Sequence, residues 1–573
     1  MTLRIPTCVA LVLALSAVSA RRSGAETAPV GDAVPGADVI LRGGTIYTGT
    51  TTHPVADAVA LAGGRILAVG DDATLARYVD SATRIVELDG RMVLPGLHDS
   101  HVHPMSAGVW FVRCRLDDAK TPAALGSAVE ACAKRPASGD WFVARGLDDA
   151  MFPRGERAAI FDRIEWPQPA ALSSARGDRH WLDPRATALL GLAAPDDAAV
   201  AAGIERDANG RPTGFVHGAA SAQARAKLPQ PSEREYRAAL RHVTARLNAR
   251  GITAVTDASV SAPMLGAYRS AERAGELTVR VRLAQRYDLS VGTSQIAALV
   301  ARRDSLGSPM LRADAVKLFV DGDLPERGAA LLEPYADGAT RGELYFPPAA
   351  LDDTVAALDA AGFDLHVHAM GDRAVRGTLD AIERAIAANA PRERRHQLAH
   401  VFLVDRAELP RFGALGVIAN VQLAWAKPDG DNDTALQRLG PARARRTLAF
   451  ADLVSHGAML VAGSDGPLGG ADPFASMEIG ATRRAPDGRG DALQPAQVLA
   501  VSRLLEAMTR NGAYAARAER FSGSLTPGHA ADLVVVDRNL LAIDPATIGE
   551  TRVLLTLLEG RAVHVEPGFD WPP

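Results

Sequence analysis

Short apolar runs alternate with amphipathic segments through the middle of the chain. Between most of these runs, apolar residues recur with the helical period, as they do over 234–251 and 373–389. An alternation of buried strands and helices is typical of a parallel sheet. Eight such units predict an α/β protein with a (β/α)8 TIM barrel. The eight candidate barrel strands are 93–101, 252–258, 279–285, 315–321, 363–369, 397–404, 417–423 and 459–465.

The two ends of the chain have a different texture. Short runs that alternate apolar and polar residues, separated by Gly-containing turns, fill 38–94 and return in 521–566. This pattern is typical of short antiparallel strands. We therefore expect one small composite β-sandwich domain built from both chain ends, with the barrel domain occupying 95–520.

One segment does not fit the barrel pattern. Residues from about 105 to about 235 follow the first candidate strand and are far too long for a simple crossover to the second. We expect this segment to be a cap inserted after strand 1, lying over the mouth of the barrel.

The N-terminus resembles an export signal. Arg4 precedes an apolar run, 8–20, that ends in small residues, which is typical of a signal peptide within residues 1–25. Cleavage is expected near Ala20, with Ala25 as the second choice. The run is shorter than the ~20 residues that a spanning helix needs, so we expect no stable membrane insertion after cleavage. The mature protein is expected to be exported, either periplasmic or secreted.

Composition and net charge limit the classes of partner that the protein is expected to bind. The 573 residues are 47% hydrophobic and carry a net charge of -4, so neither nucleic acid nor an anionic membrane is expected as the partner. A small-molecule substrate is expected instead, and the sequence leaves monomer and homodimer open. Cys114 and Cys132 remain after the signal is removed. They form either one disulfide or two buried thiols.

Ionisable residues fall within or at the carboxyl ends of five candidate barrel strands. Because those ends meet at one mouth, we expect the side chains to converge there. His101 and His103 are two positions apart on a strand, so both leave the same face and can hold one divalent metal ion. The candidate metal ligands are His101, His103, Lys317, His368, His400 and Asp465.

Three of these positions have alternatives. Lys317 lies between apolar neighbours, where an unpaired ammonium is costly. It is either paired with an acid such as Asp321 or modified by CO2 into a carbamate. His366 shares a face with His368, and the position nearer the strand end favours His368. Asp465 follows an apolar run in the sequence GSDGP, as either a turn-capping residue or a proton carrier.

These motifs resemble the amidohydrolase superfamily. The resemblance is strongest to the amidohydrolase 3 branch, which includes N-substituted formamide deformylase-like proteins. It covers nearly the whole mature chain. Among the matching stretches are LPGLHDSHVHP, VKLFVDGDL, HVHAMGDRA and GSDGPLGGADPF.

The resemblance implies one or two zinc ions, with iron or manganese as alternatives. His101, His103 and Asp465 would hold one ion, His368 and His400 the other, and Lys317 would bridge them as a carbamate. It implies that water attacks a carbonyl carbon and that Asp465 shuttles the proton. We therefore expect hydrolysis of a carbon–nitrogen bond in an amide, formamide or N-acyl compound.

Some positions depart from the family and put the substrate in doubt. Asp323, Pro325 and Glu326 replace the usual glycine-rich segment, and His217 stands where relatives have Glu. The alternatives are a hydrolase of an ester, lactone or cyclic amide, and an exported binding protein without catalysis. The residues that match positions lining or bracing the site in relatives are His180, Asp372 and Arg373.

Overall fold

The computed structural model describes most of the chain after the expected signal peptide, which itself lies outside the described residues. The described ranges are 36–134, 141–148, 151, 166, 168–174, 177–195, 197–466, 472–488 and 490–571. The first strands are β1 Val39–Tyr47, β2 Val55–Ala62, β3 Arg65–Gly70, β4 Arg84–Glu87 and β5 Met92–Pro95, with a helix Asp72–Leu75 and a 3-10 turn Ala76–Tyr78 between β3 and β4.

The candidate strand 93–101 is in fact two strands, so this expectation is wrong. β5 ends at Pro95 in the β domain, and β6, Leu97–Val102, begins the barrel. Gly96 lies between them, where its backbone N–H donates to the Asp532 carbonyl. A Cβ at Gly96 would lie 2.1 Å from the Thr253 hydroxyl, so only glycine fits where the chain passes between domains.

The segment after β6 forms a sheet of its own before the barrel resumes. Its six strands have the order β11-β12-β10-β9-β8-β7. They are β7 Cys114–Arg115, β8 Phe142–Leu147, β9 Ala170–Ser174, β10 His180–Leu182, β11 Ile204–Arg206 and β12 Pro212–Val216. The helices of this insertion domain are Pro104–Val112, Pro122–Ala133, Pro184–Leu189, Ala198–Ala202, Gly218–Lys227 and Glu233–Asn248. Cys114 and Cys132 form a disulfide.

The first and last helices of the insertion domain pack against each other. The helix Glu233–Asn248 begins with a capping box between Ser232 and Glu235. Gly108, on the helix Pro104–Val112, lies so close to Ala239 and Val243 that a Cβ would clash with both. The buried pair of Arg113 and Glu235, at 2.6 Å, closes the same contact. We call this helix pair the stem.

Eight parallel strands form a nearly closed barrel. After β6 come β13 Ile252–Val260, β14 Arg280–Arg286, β15 Leu311–Phe319, β16 Asp364–Ala369, β17 Gln397–His400, β18 Ile418–Val421 and β19 Leu460–Ala462. Each pairs in parallel with the next along the chain, and β6 pairs with β13. The Asp465 N–H donates to the His101 carbonyl at 2.7 Å, which brings the end of β19 back to β6. The expected α/β barrel fold is confirmed.

Helices surround the barrel and connect it to the C-terminus. They are Ala262–Arg273, Ile296–Asp304, Pro348–Ala360, Asp372–Ala388, Leu409–Leu415, Gly430–Leu439, Pro441–Ala444, Phe450–Ser455, Pro473–Thr482, Val501–Met508 and Arg510–Ala515. Shorter 3-10 turns span Gly292–Gln295, Leu423–Trp425, Pro495–Gln497 and Pro545–Glu550. Within the part of the chain that the structure describes, no helix is long and apolar enough to cross a membrane.

The β domain unites both ends of the chain in one hydrogen-bonded sheet. The last strands are β20 Leu533–Val536, β21 Val553–Leu558 and β22 Arg561–Val565. The sheet order is β22-β21-β20-β5-β1-β2-β3, and β4 branches from it by pairing with β1. β20 pairs antiparallel with β5, so strands from both ends of the chain lie side by side in one sheet.

A buried charge cluster lies at the amino ends of the barrel strands, opposite the mouth. Asp364, the first residue of β16, accepts hydrogen bonds from Arg282 on β14 at 2.6 Å and from Arg517 at 2.7 Å. Burial raises the pKa of Asp364, but the charges of Arg282 and Arg517 outweigh burial and hold the pKa well below its ordinary value.

Candidate metal centre

The carboxyl end of β6 brings two histidines to one carboxylate. His101 Nε2 lies 3.3 Å, and His103 Nε2 3.2 Å, from Asp465 Oδ1. His101 is fully buried, while His103 is partly exposed at the mouth. One ligand atom from each of these three residues lies within 4.8 Å of the other two, a spacing that can accommodate a single ion.

Asp99 fixes the turn that carries Asp465. Its carboxylate accepts hydrogen bonds from the Ser464 N–H at 2.9 Å and from the His101 N–H at 3.2 Å. Asp465 itself has a φ of 49°, in the left-handed region that side-chain-bearing residues seldom adopt. The position of the Asp465 carboxylate is therefore imposed by its surroundings on β6.

The next strands bring three more of the expected residues to the same centre. The rings of His368 and His400 are 4.4 Å apart, and the rings of His101 and His400 are 4.8 Å apart. Lys317 on β15 is 1% exposed, and its Nζ lies 4.8 Å from the centre of the Phe319 ring. The structure thus gathers all six expected ligands at one end of the barrel.

Hydrogen bonds to the outer ring nitrogens orient two histidines. His101 Nδ1 and His366 Nε2 are 2.9 Å apart, and His400 Nδ1 donates to Gln422 Oε1 at 2.9 Å. At His101 the bond leaves Nε2, which faces Asp465, to accept a metal ion, whereas at His400 the bonded Nδ1 itself lies 3.9 Å from Asp465 Oδ2. Outer partners of this kind commonly fix the tautomer and orientation of metal-binding histidines.

Burial keeps four buried histidines at the centre neutral. It lowers the pKa of His101 and of His368 to about 3 each, and lowers the pKa of His400 and of His366 well below the ordinary value. The neutral imidazole is the form that binds metal ions. The four rings are therefore prepared as nitrogen donors.

The pKa values of the Asp465 carboxyl and the Lys317 amine are both lowered. Burial raises the pKa of Asp465, but the adjacent imidazoles of His101 and His103 outweigh burial and hold the pKa well below its ordinary range. Burial lowers the pKa of Lys317 to about 8, although Asp465 and Asp323 act in the opposite direction. The centre therefore combines an ionised carboxylate with an amine that loses its proton unusually easily.

The donor set fits a divalent metal ion. His101 Nε2 and His368 Nε2 are buried, and neither makes a hydrogen bond of acceptable geometry within the described residues. Buried polar atoms without partners are costly, so these two ring nitrogens, each beside a carboxylate, indicate a missing ligand. Neutral imidazoles with a carboxylate suit zinc, and they also suit iron or manganese.

Asp321, the acid considered as a partner for Lys317, is engaged elsewhere. Its carboxylate accepts hydrogen bonds from the backbone N–H groups of Ala330, Met370 and Gly371. Burial raises its pKa to about 7. It lies 3.8 Å from His368 Nε2, so it connects the loop after β15 with the metal centre.

Within the described residues, no hydrogen bond or ion pair joins the residues expected to line or brace the site to the six ligands. His180 is buried in β10 of the insertion domain, where its Nδ1 shares a hydrogen bond with the Ser173 hydroxyl. Asp372 accepts from the Leu332 N–H, and Arg373 donates to the Gly342 carbonyl. Asp372 and Arg373 thus hold the loop that follows β15, and their role in substrate binding stays a prediction.

An open cleft of about 850 Å³ leads to the metal centre. The barrel supplies His103 and Asp465 to its floor, and the 3-10 turn Leu423–Trp425 supplies one side. The Trp425 ring stacks on the His400 imidazole, with ring centres 5.3 Å apart and ring planes within 5°. Other lining residues are Ser106, Ala107, Trp110, Phe111, Arg115, Asp117, Arg145, Ala424, Lys427, Ser464, Gly466, Asp472, Ala475, Ser476 and Ile479.

Sequence reasoning missed several residues of the centre. Asp99 is two positions before His101, so strand alternation alone places it on the same face and is a usable signal. Gln422 lies within the candidate strand 417–423 and directly follows β18 in the structure, but an amide at a strand end carries no specific signal. Trp425 lies in a turn, whose conformation the apolar pattern does not predict.

Comparison with known proteins identifies the family. Residues 84–564 match the amidohydrolase family. The chain belongs to the amidohydrolase family. This amidohydrolase is a metal-dependent hydrolase, in agreement with the donor set at the barrel mouth.

Relatives of this amidohydrolase span nearly its whole length. Protein LONG AFTER FAR-RED 3 of Arabidopsis thaliana is 30% identical over 520 residues, which cover 88% of each chain. N-substituted formamide deformylase of Arthrobacter pascens is 25% identical over 91% of this chain and 97% of that relative. The crystal structure of an uncharacterized metal-dependent hydrolase from Pyrococcus furiosus is 25% identical, with a TM-score of 0.72, over 88% of this chain and 99% of that one.

Proposed function

We propose that this amidohydrolase cleaves a carbon–nitrogen bond in an amide, formamide or N-acyl compound of small size. The observation that carries the proposal is the group of His101, His103 and Asp465, whose ligand atoms lie within 4.8 Å of one another at the open cleft. The similarity to N-substituted formamide deformylase over nearly the whole chain supports this choice of bond.

The residues of the centre have separate roles in metal binding and proton transfer. His101, His103 and Asp465 would hold one divalent ion, and His368 and His400 would hold a second, with zinc as the proposed metal. When bound, the metal polarises the carbonyl oxygen and lowers the pKa of the attacking water. Asp465 accepts a proton from that water and transfers it to the leaving nitrogen, so an acid and an amine are released.

Lys317 is proposed to bridge the two ions as a carbamate. Its neutral amine attacks CO2, a carbon–nitrogen bond forms and one proton leaves, so the product carries two carboxylate-like oxygens. Burial lowers the pKa of Lys317 to about 8, which increases the share of the reactive neutral amine. Growth with carbon-13-labelled bicarbonate tests the carbamate: its NMR signal is expected in the native protein and not in Lys317→Ala.

Metal analysis combined with a substrate panel tests the function. The purified full chain is expected to hold stoichiometric metal, to lose activity on chelation and to regain it with Zn2+. Matched N-formyl and N-acetyl amines and their ester counterparts then identify the bond. The double variant His101→Asn/His103→Asn is expected to lose metal, whereas His456→Asn, at an exposed histidine, serves as the matched control.

Three results would contradict the proposal, each in favour of a different conclusion. Absence of stoichiometric metal would contradict the ligand set. Turnover of esters or lactones without turnover of N-acyl compounds would indicate the ester-hydrolase alternative. Bound metal without hydrolysis of either class would indicate a binding protein that has lost catalysis.

The chain is also proposed to be exported to the periplasm or beyond. Arg4 and the apolar run 8–20 support cleavage of residues 1–25 as a signal peptide. N-terminal sequencing of the mature protein tests this, because a chain that still begins at Met1 in the cytoplasmic fraction would refute export.

A further inference from the structure

The candidate ligand His103 is also the N-cap of a helix. It directly precedes Pro104–Val112, the first helix of the stem. An N-cap side chain commonly accepts a hydrogen bond from the backbone N–H of the second or third helical residue. The His103 side chain makes no such bond, and its Nε2 lies 3.2 Å from Asp465 Oδ1 instead. The imidazole is thus available to a metal ion, and the first turn of the helix needs another acceptor.

Asp257 on β13 supplies that acceptor. β13 pairs in parallel with β6, and Asp257 lies opposite Val102, the residue before His103. The Asp257 carboxylate accepts a hydrogen bond from the backbone of Met105, the second residue of the helix. A carboxylate at this end of a helix is also favoured by the partial positive charge of the first turn. The neighbouring strand therefore caps the helix in place of the His103 side chain.

A second element holds the Asp257 carboxylate. Tyr268, on the helix Ala262–Arg273, donates its hydroxyl to Asp257 Oδ2 at 2.8 Å, and both residues are fully buried. The Ser259 N–H also donates to Asp257 Oδ1, at 3.4 Å. A buried polar network whose members are hydrogen-bonded is rigid. The orientation of Asp257 is therefore fixed by β13 and by the helix that follows it.

His103 is part of the electrostatic surroundings of Asp257. Burial raises the pKa of Asp257 to about 6, whereas the nearby His103 imidazole and the hydrogen bond from Tyr268 act in the opposite direction. Burial raises the pKa of Tyr268 well above its ordinary value, and the neighbouring Asp257 raises it further. The Tyr268 hydroxyl therefore stays protonated and remains a donor to the carboxylate.

We propose that Asp257 and Tyr268 are positioning residues of the metal centre, which fix the start of the stem and thereby hold His103 beside Asp465. The inference rests on the part of the proposed function that assigns His103 as a metal ligand. His103 has the most exposed side chain of the three residues of this group, at 29%, so packing restrains it least. Its orientation therefore depends on the backbone that follows it, which Asp257 holds.

The metal affinity of the full chain tests this positioning. Zn2+ is titrated into the metal-free protein against a competing chelator. Asp257→Ala removes the acceptor, and the loss of such an outer partner is expected to weaken Zn2+ binding by about 10- to 100-fold. Tyr268→Phe removes one donor, so a smaller loss of about 3- to 10-fold is expected, and it keeps the test decisive if Asp257→Ala does not fold. Native affinity in both variants would overturn the proposal.

Two matched variants separate positioning from a general loss of stability. Asp183→Ala removes a buried carboxylate that caps the helix Pro184–Leu189 in the insertion domain. Tyr287→Phe removes a buried hydroxyl that shares a hydrogen bond with Thr354. Both controls are expected to lower the melting temperature and to keep the native Zn2+ affinity. Equal losses of affinity in the controls and in the test variants would show a structural role only and would refute the positioning role.

The place of His103 in metal-free crystals separates this inference from the proposed function. In Asp257→Ala the distance from His103 Nε2 to Asp465 Oδ1 is expected to exceed the native 3.2 Å, whereas Asp183→Ala keeps the native distance. An unmoved His103 in Asp257→Ala would overturn the inference, whatever bond the native protein hydrolyses. A displaced His103 with weakened Zn2+ binding, in a protein that hydrolyses no amide, would leave the inference standing while the proposed reaction fails.

Discussion

At the scale of single residues, the metal centre contains backbone conformations that must be held in place. Asp465, His400 and Val401 have φ values of 49°, 76° and 38°, all in the left-handed region. Non-glycine residues there cost of order 1–3 kcal/mol each. At Asp465, the bonds from Ser464 and His101 to Asp99 hold the adjacent chain. The ligands are therefore positioned by the fold before any metal binds.

Replacement of the shuttle carboxylate separates binding from turnover. Asp465→Asn keeps the shape of the side chain and an oxygen donor, but its amide does not accept a proton. We expect the fold and most of the metal to be retained, while kcat falls by about 100- to 10,000-fold. Steady-state kinetics and metal analysis of the same preparation measure both effects. Asp433→Asn, at an exposed acid, is the control, and near-native turnover in Asp465→Asn would remove the proton-transfer role.

Removal of the candidate bridging ligand has a different signature. Lys317→Ala leaves a space near the carboxyl end of β15 and removes the amine, so metal content is expected to fall together with activity. Because the proposed bridge is carboxylate-like, added formate or acetate is expected to restore part of both. Metal content that equals that of the native protein, without any added acid, would show that Lys317 is not a ligand.

The sequence identified the candidate metal ligands better than the residues that surround them. His101, His103 and Asp465 are readable because strand alternation and strand ends place them at a common mouth. The contact of Asp99 with the Ser464 N–H joins positions far apart in sequence, and no local pattern encodes it. The role of Gln422 is also not predictable from a local pattern, because it depends on the distance between the end of β18 and His400.

At the scale of secondary-structure elements, all eight barrel strands were predictable, but their ends were not. The strand expected over 397–404 stops at His400, because His400 and Val401 turn the chain with positive φ values. β15 starts at Leu311 instead of 315, since charged Arg312 and Asp314 hide the beginning of the strand in the hydrophobic pattern. Asp314 pairs with Arg282 on β14, a tertiary contact that replaces apolar burial.

The disulfide is the one covalent link within the described part of the insertion domain. It joins β7 to the helix Pro122–Ala133 across a separation of 18 residues. Closing a loop of this length stabilises the folded state by about 3 kcal/mol. We expect the double variant Cys114→Ser/Cys132→Ser to unfold at lower temperature by calorimetry.

A thiol titration is the control for that measurement. The denatured, unreduced mature protein is expected to contain no free thiol. A full complement of thiols, together with an unchanged melting temperature, would contradict a stabilising disulfide.

At the scale of the whole molecule, the amino end of the barrel is tied together by charge. Asp364 links β16 to Arg282 on β14 and to Arg517 near the C-terminal β strands. Asp364→Asn removes one of the two carboxylates paired with buried Arg282, which keeps Asp314, and the carboxylate bound by half-buried Arg517. Loss of one partner of a buried pair costs at most about 3–5 kcal/mol. Urea unfolding at pH 7 of this variant and of the Asp433→Asn control measures the loss.

Urea unfolding of the native protein and of Asp364→Asn at lower pH tests how the contribution of Asp364 to stability depends on pH. The folded-state pKa of Asp364 is depressed, so its contribution to stability is complete above the unfolded pKa, about 3.9, and is lost as pH falls towards the folded value. The difference in unfolding free energy between native protein and Asp364→Asn is therefore expected to shrink below about pH 4. A difference that stays constant down to pH 3 would contradict the linkage.

The stem makes the insertion domain an exchangeable module. Its two helices meet at Gly108 and at the pair of Arg113 with Glu235, and the barrel strands they join, β6 and β13, are already neighbours. A recombinant enzyme that receives a different domain on this stem would keep the candidate metal ligands of the barrel and acquire different residues around the cleft. Evolution can therefore diversify what this scaffold recognises without disturbing what it does.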